Sequence, residues 1–353
     1  MVTKFREKHM TETMFQGRRG ASIENEQLRV TVLAEGGHIA EVFHKQCGVS
    51  PLWVPPWPSI EPSTFGTADG GVYGDGVEAK LLSGIMGHNL CLDVFGPPSP
   101  EEAAAGLGVH GESSVDHYAI DPAGDGLVMR VLLPIAGLRF VRRIALDGET
   151  VRIGERVENL TATDRPIAWT QHVTLGPPYL AKGATEFRAS AGRSKVFETA
   201  FGVDDHLVAG AEFDWPMAPG KNGELVDLRV CNGAAKSSAF TTHLMDQARA
   251  EAHFAAWSPE SRLLFGYVWK PADFPWMGIW EENLSRTHAP WNGKTVARGM
   301  EFGVSPMAET RRAMIDRGKL FGVPGYRWVP AKSAVEAEYR IVARKADGVE
   351  ELR

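Results

Sequence analysis

A carboxylate between two glycines is the first feature of this sequence that could do chemistry. Glu301 lies in the run Gly299-Met300-Glu301-Phe302-Gly303. Because side chains of a strand alternate between its two faces, Met300 and Phe302 would pack inward and Glu301 would project from the opposite face. Glycine weakens a strand and often marks the close approach of a ligand. We therefore predict that Glu301 lines a binding site, in preference to the alternative of a solvated surface carboxylate.

A histidine lies in the middle of a second strand-like run, PIAWTQHVTL, over residues 166–175. Alternation places Ile167 and Trp169 on an apolar face and His172 on a face that is small and polar. A small polar face is what a sugar-lined groove requires. The alternative is a buried structural histidine that hydrogen-bonds to the backbone, and His172 considered alone would favour it.

Two further ionisable residues lie close together in the run Gly108-Val109-His110-Gly111-Glu112. In an extended strand His110 and Glu112 would share one face, and Gly108 would leave open space beside them. The alternative is a surface histidine near a turn. We carry His110 forward as a catalytic candidate and Glu112 as a substrate-binding candidate.

Aromatic and charged residues are interleaved in the segment FPWMGIWEENLSRTHAPW, residues 274–291. Aromatic rings stack on the apolar C–H faces of carbohydrates, and charged groups hydrogen-bond to their hydroxyls. On this basis Trp280, Glu282 and Arg286 are predicted to bind the substrate, and His88 is a further substrate-binding candidate. The alternative is that the tryptophans are core anchors and that the charges pair at the surface.

Short strand-like runs must position these side chains. The runs are rich in valine, isoleucine, threonine and aromatic residues, and turns containing Gly, Pro, Asp or Asn separate them. They cover residues 28–34, 38–43, 127–134, 138–146, 150–159, 166–175, 225–231, 249–257, 262–270 and 334–345. Helical patterns are scarce, at residues 101–105 and 308–317. The pattern predicts an all-β fold in which large antiparallel sheets pack as a sandwich.

The length of 353 residues fits one large β-domain with elaborations or two ordinary domains. We expect one continuous domain over residues 1–353, with an N-terminal extension and a long aromatic loop near residues 51–76. A loop of that length in a compact domain is more often functional or packed than idle. No βαβ alternation, dinucleotide-binding glycine motif or P-loop is present, so a nucleotide-binding fold is not expected.

Charge and cysteine content exclude several other classes of protein. The net charge of -6 lacks the electrostatic footprint of a protein that binds nucleic acid or an anionic membrane. The cysteines Cys47, Cys91 and Cys231 are widely spaced, so neither a disulfide framework nor a thiolate zinc site is indicated. The first residues carry charges and show no signal-peptide core, and no run approaches the ~18 apolar residues of a membrane span. We expect a cytoplasmic protein.

The order of these motifs resembles the galactose mutarotase (aldose 1-epimerase) family over most of the chain. Residues 157–161, VENLT, look like the strand end that precedes the strand of the family's catalytic histidine, here His172. His110 and its following glycine resemble an earlier active-site histidine, and Glu301 lies in a run that resembles the strand of the catalytic glutamate. Residues 327–341 resemble the closing strand.

The resemblance implies a large twisted β-sandwich with a sugar cleft on one concave sheet, and catalysis that needs no metal or organic cofactor. Glu301 would remove the proton of the anomeric hydroxyl and His172 would protonate the ring oxygen, so that the ring opens. The carbonyl would rotate, and closure would give the other anomer. His110 would hold the substrate or share the acid role.

The sequence also departs from the family pattern. Mutarotases often show N-H-x-Y-F, whereas residues 171–175 read QHVTL. Where the hexose-phosphate branch carries an arginine, residues 112–114 read ESS. These departures leave the sugar less defined than the fold, and a branch that has lost mutarotation is one of the possibilities.

Two other functions stay open from the sequence. A metal-dependent sugar isomerase or lyase would use His110, Glu112, His172 and Glu301 as nitrogen and oxygen ligands for Zn, Mn or Fe. A carbohydrate-binding or regulatory protein would keep the cleft without turnover, which the tryptophan-rich segment supports. A small-molecule carbohydrate is the expected partner in every case.

Overall fold

Most of the regular structure in this protein is β-strand. The computed structural model describes residues 10–350 and Leu352. The strands are, in chain order, β1 (Thr11–Phe15), β2 (Arg18–Glu24), β3 (Leu28–Leu33), β4 (Ile39–His44), β5 (His88–Asp93), β6 (Ala119–Ala123), β7 (Gly126–Leu133), β8 (Leu138–Asp147), β9 (Thr150–Asn159), β10 (Arg165–Leu175), β11 (Glu186–Ala189), β12 (Ala191–Val196), β13 (Glu212–Asp214), β14 (Met217–Pro219), β15 (Leu225–Asp227), β16 (Ser237–Met245), β17 (Ala252–Ser258), β18 (Leu263–Trp269), β19 (Trp276–Asn283), β20 (Val296–Gly303), β21 (Lys319–Leu320), β22 (Val323–Pro324), β23 (Arg327–Val329) and β24 (Ala334–Lys345). The helices are α1 (Gly70–Tyr73), α2 (Ala79–Leu82), α3 (Pro100–Ala104) and α4 (Arg311–Arg317).

Two large antiparallel sheets contain most of these strands. The first has twelve strands in the order β1-β2-β3-β4-β5-β10-β20-β19-β16-β12-β13, with β23 also paired to β10. The second has eight strands in the order β11-β17-β18-β24-β9-β8-β7-β6. The strands that carry the two main candidates, β10 and β20, are direct neighbours in the first sheet.

The main hydrophobic core lies between these sheets. Trp169 and Val173 from β10 are buried in one apolar cluster with Phe265 from β18 and Ile341 from β24. Apolar burial of this kind contributes about 25 cal/mol per Å² removed from water, so the two faces hold each other together. The predicted antiparallel β-sandwich is therefore confirmed.

A network of buried polar side chains crosses this core beside β10. The carboxylate of Glu155 accepts hydrogen bonds from Arg142 at 2.8 Å, Trp169 at 2.9 Å, Gln171 at 2.6 Å and Tyr339 at 2.7 Å. The side chains of Arg142 and Glu155 are both completely buried. Because a buried charge is tolerated only when it is paired and hydrogen-bonded, the network fixes β8, β9, β10 and β24 relative to one another.

Several sequence predictions for local structure need correction. Residues 108–112 are not a strand: His110 has a φ of 66°, and Glu112 begins a short 3₁₀ turn. Gly111 has a φ of 80° and packs so closely on β5 that a Cβ would overlap the carbonyl oxygen of Leu92, so this turn requires glycine. Of the run predicted over 225–231, only β15 forms.

The helices agree more closely with their predictions. α3 begins one residue before the predicted segment 101–105, and α4 begins at Arg311 within the segment predicted over 308–317. Thr310 caps α4, because its hydroxyl accepts a hydrogen bond from the backbone N–H of Ala313 at 3.3 Å. No helix within the described part of the chain is both long enough and apolar enough to cross a membrane.

The N-terminal extension and the long loop both acquire structure. Residues 1–9 lie outside the described residues, and from Thr11 onward the chain forms β1, at the edge of the first sheet, and β2, which pairs with β1 and β3. The segment 51–76 contains α1 and packs Trp53 and Trp57 against Trp291, with ring centroids 6.3 and 5.0 Å from it. That the whole chain is one domain stays a prediction.

We expect Glu155→Gln to lower the free energy of unfolding by about 3–5 kcal/mol, because it leaves the charge of Arg142 buried without a counter-charge. Urea denaturation measures the loss. The matched control is Glu158→Gln on the same strand, whose carboxylate pairs with Arg139 at the surface, and which is expected to cost about 1 kcal/mol or less. Equal losses in the two variants would contradict a structural role for the network.

Candidate active site

Two neighbouring strands bring His172 and Glu301 into direct contact. The register of β10 and β20 pairs Thr170 with Gly303 and Thr174 with Gly299, which places His172 across from Glu301. His172 Nε2 lies 3.1 Å from Glu301 Oε1. Both side chains are almost completely buried, with side-chain exposures of 8% and 2%. The sequence interpretation of two alternating faces was therefore correct for both strands.

The glycines around Glu301 make room for its carboxylate. A Cβ at position 299 would lie 2.5 Å from Glu301 Oε1, and a Cβ at position 278 on β19 would lie 3.6 Å from Oε2. A Cβ at position 303 would collide with Thr170 on β10. Gly299 thus leaves space for the carboxylate of Glu301, and Gly303 lets β10 approach closely. The sequence interpretation had instead explained these glycines by the close approach of a ligand.

Burial shifts the proton affinities of the pair in opposite directions. It raises the pKa of Glu301 to about 8 and lowers the pKa of His172 well below its usual range, with the nearby His110 adding to the latter effect. Both shifts favour the uncharged forms, since a charge is poorly solvated here. At neutral pH the pair therefore holds one proton, which resides mainly on Glu301.

Thr174 gives the imidazole of His172 a partner on its other side. The hydroxyl oxygen of Thr174 lies 3.2 Å from His172 Nδ1. When Glu301 is protonated it donates to His172 Nε2, so Nδ1 carries hydrogen and donates to Thr174. When the proton shifts to Nε2, the ring becomes an imidazolium and Nδ1 keeps its hydrogen, so Nδ1 still donates to the hydroxyl oxygen of Thr174. The contact therefore holds the ring in place in both proton states.

His110 lies beside this pair with a fixed tautomer. Its ring centroid is 5.0 Å from that of His172, and its Nδ1 donates a hydrogen bond to the carbonyl oxygen of Phe95 at 2.6 Å. Burial lowers the pKa of His110 to about 4, so the ring is neutral and its Nε2 is a hydrogen-bond acceptor. The turn at residues 110–112, where a strand had been predicted, places His110 at the site.

All three catalytic candidates line one cavity of about 420 Å³. Its walls come from β10, β16, β19 and β20 and from the loops that cover them. The other lining residues are Trp53, Gly76, Val77, Glu78, Leu81, Leu82, Ile85, Phe95, Gly96, Pro97, Val109, Phe201, Phe240, Trp280, Arg286, Trp291 and Ala308. The volume is suited to a monosaccharide-sized molecule.

Two of the five substrate-binding candidates lie at this cavity. The Trp280 ring centroid is 6.2 Å from that of His172. Arg286 also lines the cavity, and its guanidinium carbon lies 4.7 Å from the centroid of the Trp291 ring. Glu282 does not line it: its Oε1 accepts hydrogen bonds from the backbone N–H groups of Ser285 and Arg286, at 2.7 and 2.9 Å. Glu282 therefore shapes the turn that presents Arg286.

Glu112 and His88, which were predicted to contact the substrate, do not line this cavity. The carboxylate of Glu112 accepts hydrogen bonds from the backbone N–H groups of Ile135 and Ala136, at 3.0 and 2.7 Å. The imidazole of His88 faces the core between the sheets. There it contacts Gln171 Oε1 at 2.9 Å and the hydroxyl of Tyr267 at 3.0 Å.

The set of ligands proposed for a metal site is not assembled. Both carboxylate oxygens of Glu112 accept hydrogen bonds from the backbone N–H groups of Ile135 and Ala136, and Glu112 does not line the cavity of His110, His172 and Glu301. Within residues 10–350 and Leu352, no group of three or more histidine, cysteine, aspartate or glutamate side chains is arranged to hold a metal ion. The metal-dependent alternative therefore lacks its fourth ligand.

Sequence reasoning missed most of the cavity wall. Phe95, Phe201 and Phe240 come from three separate regions, and none lies in a motif that suggested ligand binding. Trp53 belongs to the long aromatic loop that the sequence did single out, although without a predicted contact. Composition could indicate that this loop packs on a site, but it could not indicate which ring reaches the site.

Solved structures with the same architecture come from several bacteria. A Klebsiella pneumoniae protein described as a candidate aldose 1-epimerase aligns with a TM-score of 0.66 at 12% identity, over 94% of this chain and 80% of that one. A galactose mutarotase-like protein from Clostridium acetobutylicum gives 0.63 at 11%, over 96% and 99%. The fold is galactose mutarotase-like. A galactose mutarotase related enzyme from Lactobacillus acidophilus gives 0.58 at 12%, over 94% and 100%.

The similarity to these solved structures confirms the β-sandwich fold that the family resemblance implied. No protein-family model matches this sequence, and no curated protein matches it either. At identities of 11–12% the similarity concerns the fold. Arguments about the chemistry must therefore rest on the residues of this chain.

We expect Glu301→Gln to change the pH dependence of stability. The folded-state pKa of about 8 is raised above the usual value of 4.5, so this carboxyl group stabilises the fold fully below about pH 4.5, and its contribution is lost as the pH rises through about 8. The variant cannot ionise there. Its free energy of unfolding relative to the original protein should therefore rise between pH 5 and pH 9, by on the order of a few kcal/mol.

Urea denaturation of both proteins at several pH values measures this difference. A difference that stays constant from pH 5 to pH 9 would show that Glu301 ionises normally in the folded protein. An increase that begins near pH 4.5 and levels off above about pH 8 would support the buried, protonated carboxyl group described above.

Proposed function

We propose that this protein is an aldose 1-epimerase-like enzyme that interconverts the anomers of a small carbohydrate by general acid–base ring opening. The contact at 3.1 Å between His172 Nε2 and Glu301 Oε1, both almost completely buried at the wall of the cavity, is the observation that carries the proposal. The names of the Klebsiella pneumoniae and Clostridium acetobutylicum proteins that share this fold are consistent with this activity.

Direct contact between acid and base suits this reaction. The anomeric hydroxyl and the ring oxygen of an aldose are bonded to the same carbon, so two touching groups can reach both oxygens at once. Glu301 takes the proton of the anomeric hydroxyl while His172 gives a proton to the ring oxygen. The bond between the anomeric carbon and the ring oxygen breaks, and a carbonyl forms. Rotation and the reverse transfers give the other anomer.

The proton count of the pair is the same before and after ring opening. The reactive form has the carboxylate on Glu301 and the proton on His172, and it arises from the resting form by proton transfer across their hydrogen bond. A raised pKa makes Glu301 a stronger base, and a lowered pKa makes protonated His172 a stronger acid. Burial therefore favours both transfers to and from the sugar.

His110 is assigned the holding role. Because its Nδ1 donates to the carbonyl oxygen of Phe95, its Nε2 can accept a hydrogen bond from a sugar hydroxyl next to His172. Its lowered pKa, near 4, means that it carries no spare proton at neutral pH. We therefore assign the acid role to His172 alone.

We expect Glu301→Gln and His172→Asn each to lower the rate of anomer exchange by about 10²–10⁴-fold, because each removes one proton-transfer group. NMR exchange spectroscopy on a panel of aldoses, with the spontaneous rate subtracted, measures the effect. Exposed matched controls are Glu338→Gln and His117→Asn, which should keep full activity. Full activity in Glu301→Gln would overturn the assignment.

The rate of anomer exchange should fall above about pH 8. At that pH the pair loses its single proton, so no acid remains for the ring oxygen. The measurement is kcat/KM between pH 6 and pH 10, corrected at each pH for the base-catalysed spontaneous reaction. A rate that keeps rising through pH 10 would indicate that the carboxylate acts without an acid partner.

A carbohydrate-binding protein without turnover is the second candidate function. Three tryptophans from separate segments line the cavity: Trp53, Trp280 and Trp291. Their rings could stack on the C–H faces of a sugar, which supports binding without requiring catalysis. Ligand binding at the cavity with no exchange above the spontaneous rate would favour this function over the first.

A further inference from the structure

The cavity contains few groups that could hydrogen-bond to a sugar. Twenty residues line it, and five of them have an ionisable side chain. These five are Glu78, His110, His172, Arg286 and Glu301. The proposed reaction uses His172 and Glu301 on the anomeric hydroxyl and the ring oxygen. The other three remain for the rest of a substrate, together with the indole N–H of Trp291, which is buried without a hydrogen-bond partner among the described residues.

Two of those three already have neighbours within the protein. His110 has committed Nδ1 to Phe95, which leaves one ring nitrogen. The guanidinium of Arg286 lies against the Trp291 ring, and its Nε is 3.5 Å from Glu282 Oε2. A free hexose has about four hydroxyls besides the anomeric one, and no serine, threonine, asparagine, glutamine or tyrosine side chain in the described part of the chain lines the cavity to receive them. Each buried hydroxyl without a partner lowers affinity by about 5–100-fold.

The rest of the wall is aromatic and aliphatic. Trp53 stacks on Trp291 with ring centroids 6.3 Å apart, and Phe201 stacks on Phe240 at 5.3 Å. Leu81, among others, adds aliphatic surface. Such a wall gains free energy from apolar substituents and gains little from hydroxyls.

We propose that the substrate of this site is a cyclic hemiacetal with an apolar body, that is, a sugar in which most ring hydroxyls are absent or capped by alkyl groups. This inference rests on the proposed function, because it takes the anomeric centre to lie at His172 and Glu301. The free anomeric hydroxyl is retained, and the remaining substituents contact the aromatic wall.

The test compares substrates that differ only in the capping of their hydroxyls. Glucose is paired with 2,3,4,6-tetra-O-methylglucose, and galactose with its tetra-O-methyl counterpart, so that ring and anomeric hydroxyl are constant within each pair. NMR exchange gives kcat/KM for each sugar, with its own spontaneous rate subtracted. We expect the methylated sugar to be preferred by at least about tenfold in one or both series.

A substitution in the cavity wall tests whether its apolar surface sets the substrate preference. Val109→Thr adds one hydroxyl to the cavity at nearly constant volume, next to His110. It should reduce the preference for the methylated sugar by about fivefold, because one hydroxyl of the free sugar gains a partner. An unchanged preference would contradict the role assigned to the apolar wall.

The outcomes separate this inference from the proposed function. Exchange above the spontaneous rate with no preference for methylated sugars would overturn the inference and leave the function intact. No exchange, with methylated sugars binding at least about tenfold more tightly by tryptophan fluorescence, would overturn the function and support the ligand class. Neither exchange nor a binding preference would overturn both.

Discussion

The contact between an imidazole and a carboxyl group that are both buried at the wall of one cavity is the constraint on which the candidate site depends. His172 and Glu301 come from segments about 130 residues apart in sequence, and only the adjacency of β10 and β20 brings them together. Glycines at positions 278 and 299 leave the space that the carboxylate occupies. A Cβ at position 299 would lie 2.5 Å from Glu301 Oε1, so any side chain there would displace the carboxylate, whereas a Cβ at position 278 would only contact it.

The core beneath β10 holds this contact in register. Gln171 and His172 are consecutive and therefore point to opposite faces of the strand. Gln171 is bound on the core side by Arg142, Glu155 and Tyr339. A slip of β10 by one residue would bury His172 in that network and expose Gln171 in the cavity. The position of His172 is thus a consequence of how the two sheets pack.

The sequence predicted the parts of the site that follow from strand periodicity. The faces of β10 and β20 could be read from alternation, because both strands are regular where His172 and Glu301 occur. Periodicity failed at His110, which lies in a turn with a left-handed backbone. The sequence could not place Glu112 and His88 outside the cavity, because a polar residue that satisfies a buried partner has the same sequence pattern as one that binds a ligand. Cavity walls built from distant loops have no local signal at all.

Proton chemistry and ligand class are coupled in this cavity by the same physical property. The apolar wall that offers few partners to hydroxyls is also what raises the pKa of Glu301 and lowers that of His172. A cavity rich in hydrogen-bond donors would bind a free hexose better, but it would stabilise the carboxylate and return Glu301 toward an ordinary, weakly basic acid. A protein that uses this pair for strong acid and base chemistry therefore gains from a substrate that tolerates an apolar site. Selection for the shifted pKa values of the pair would therefore also favour an apolar substrate.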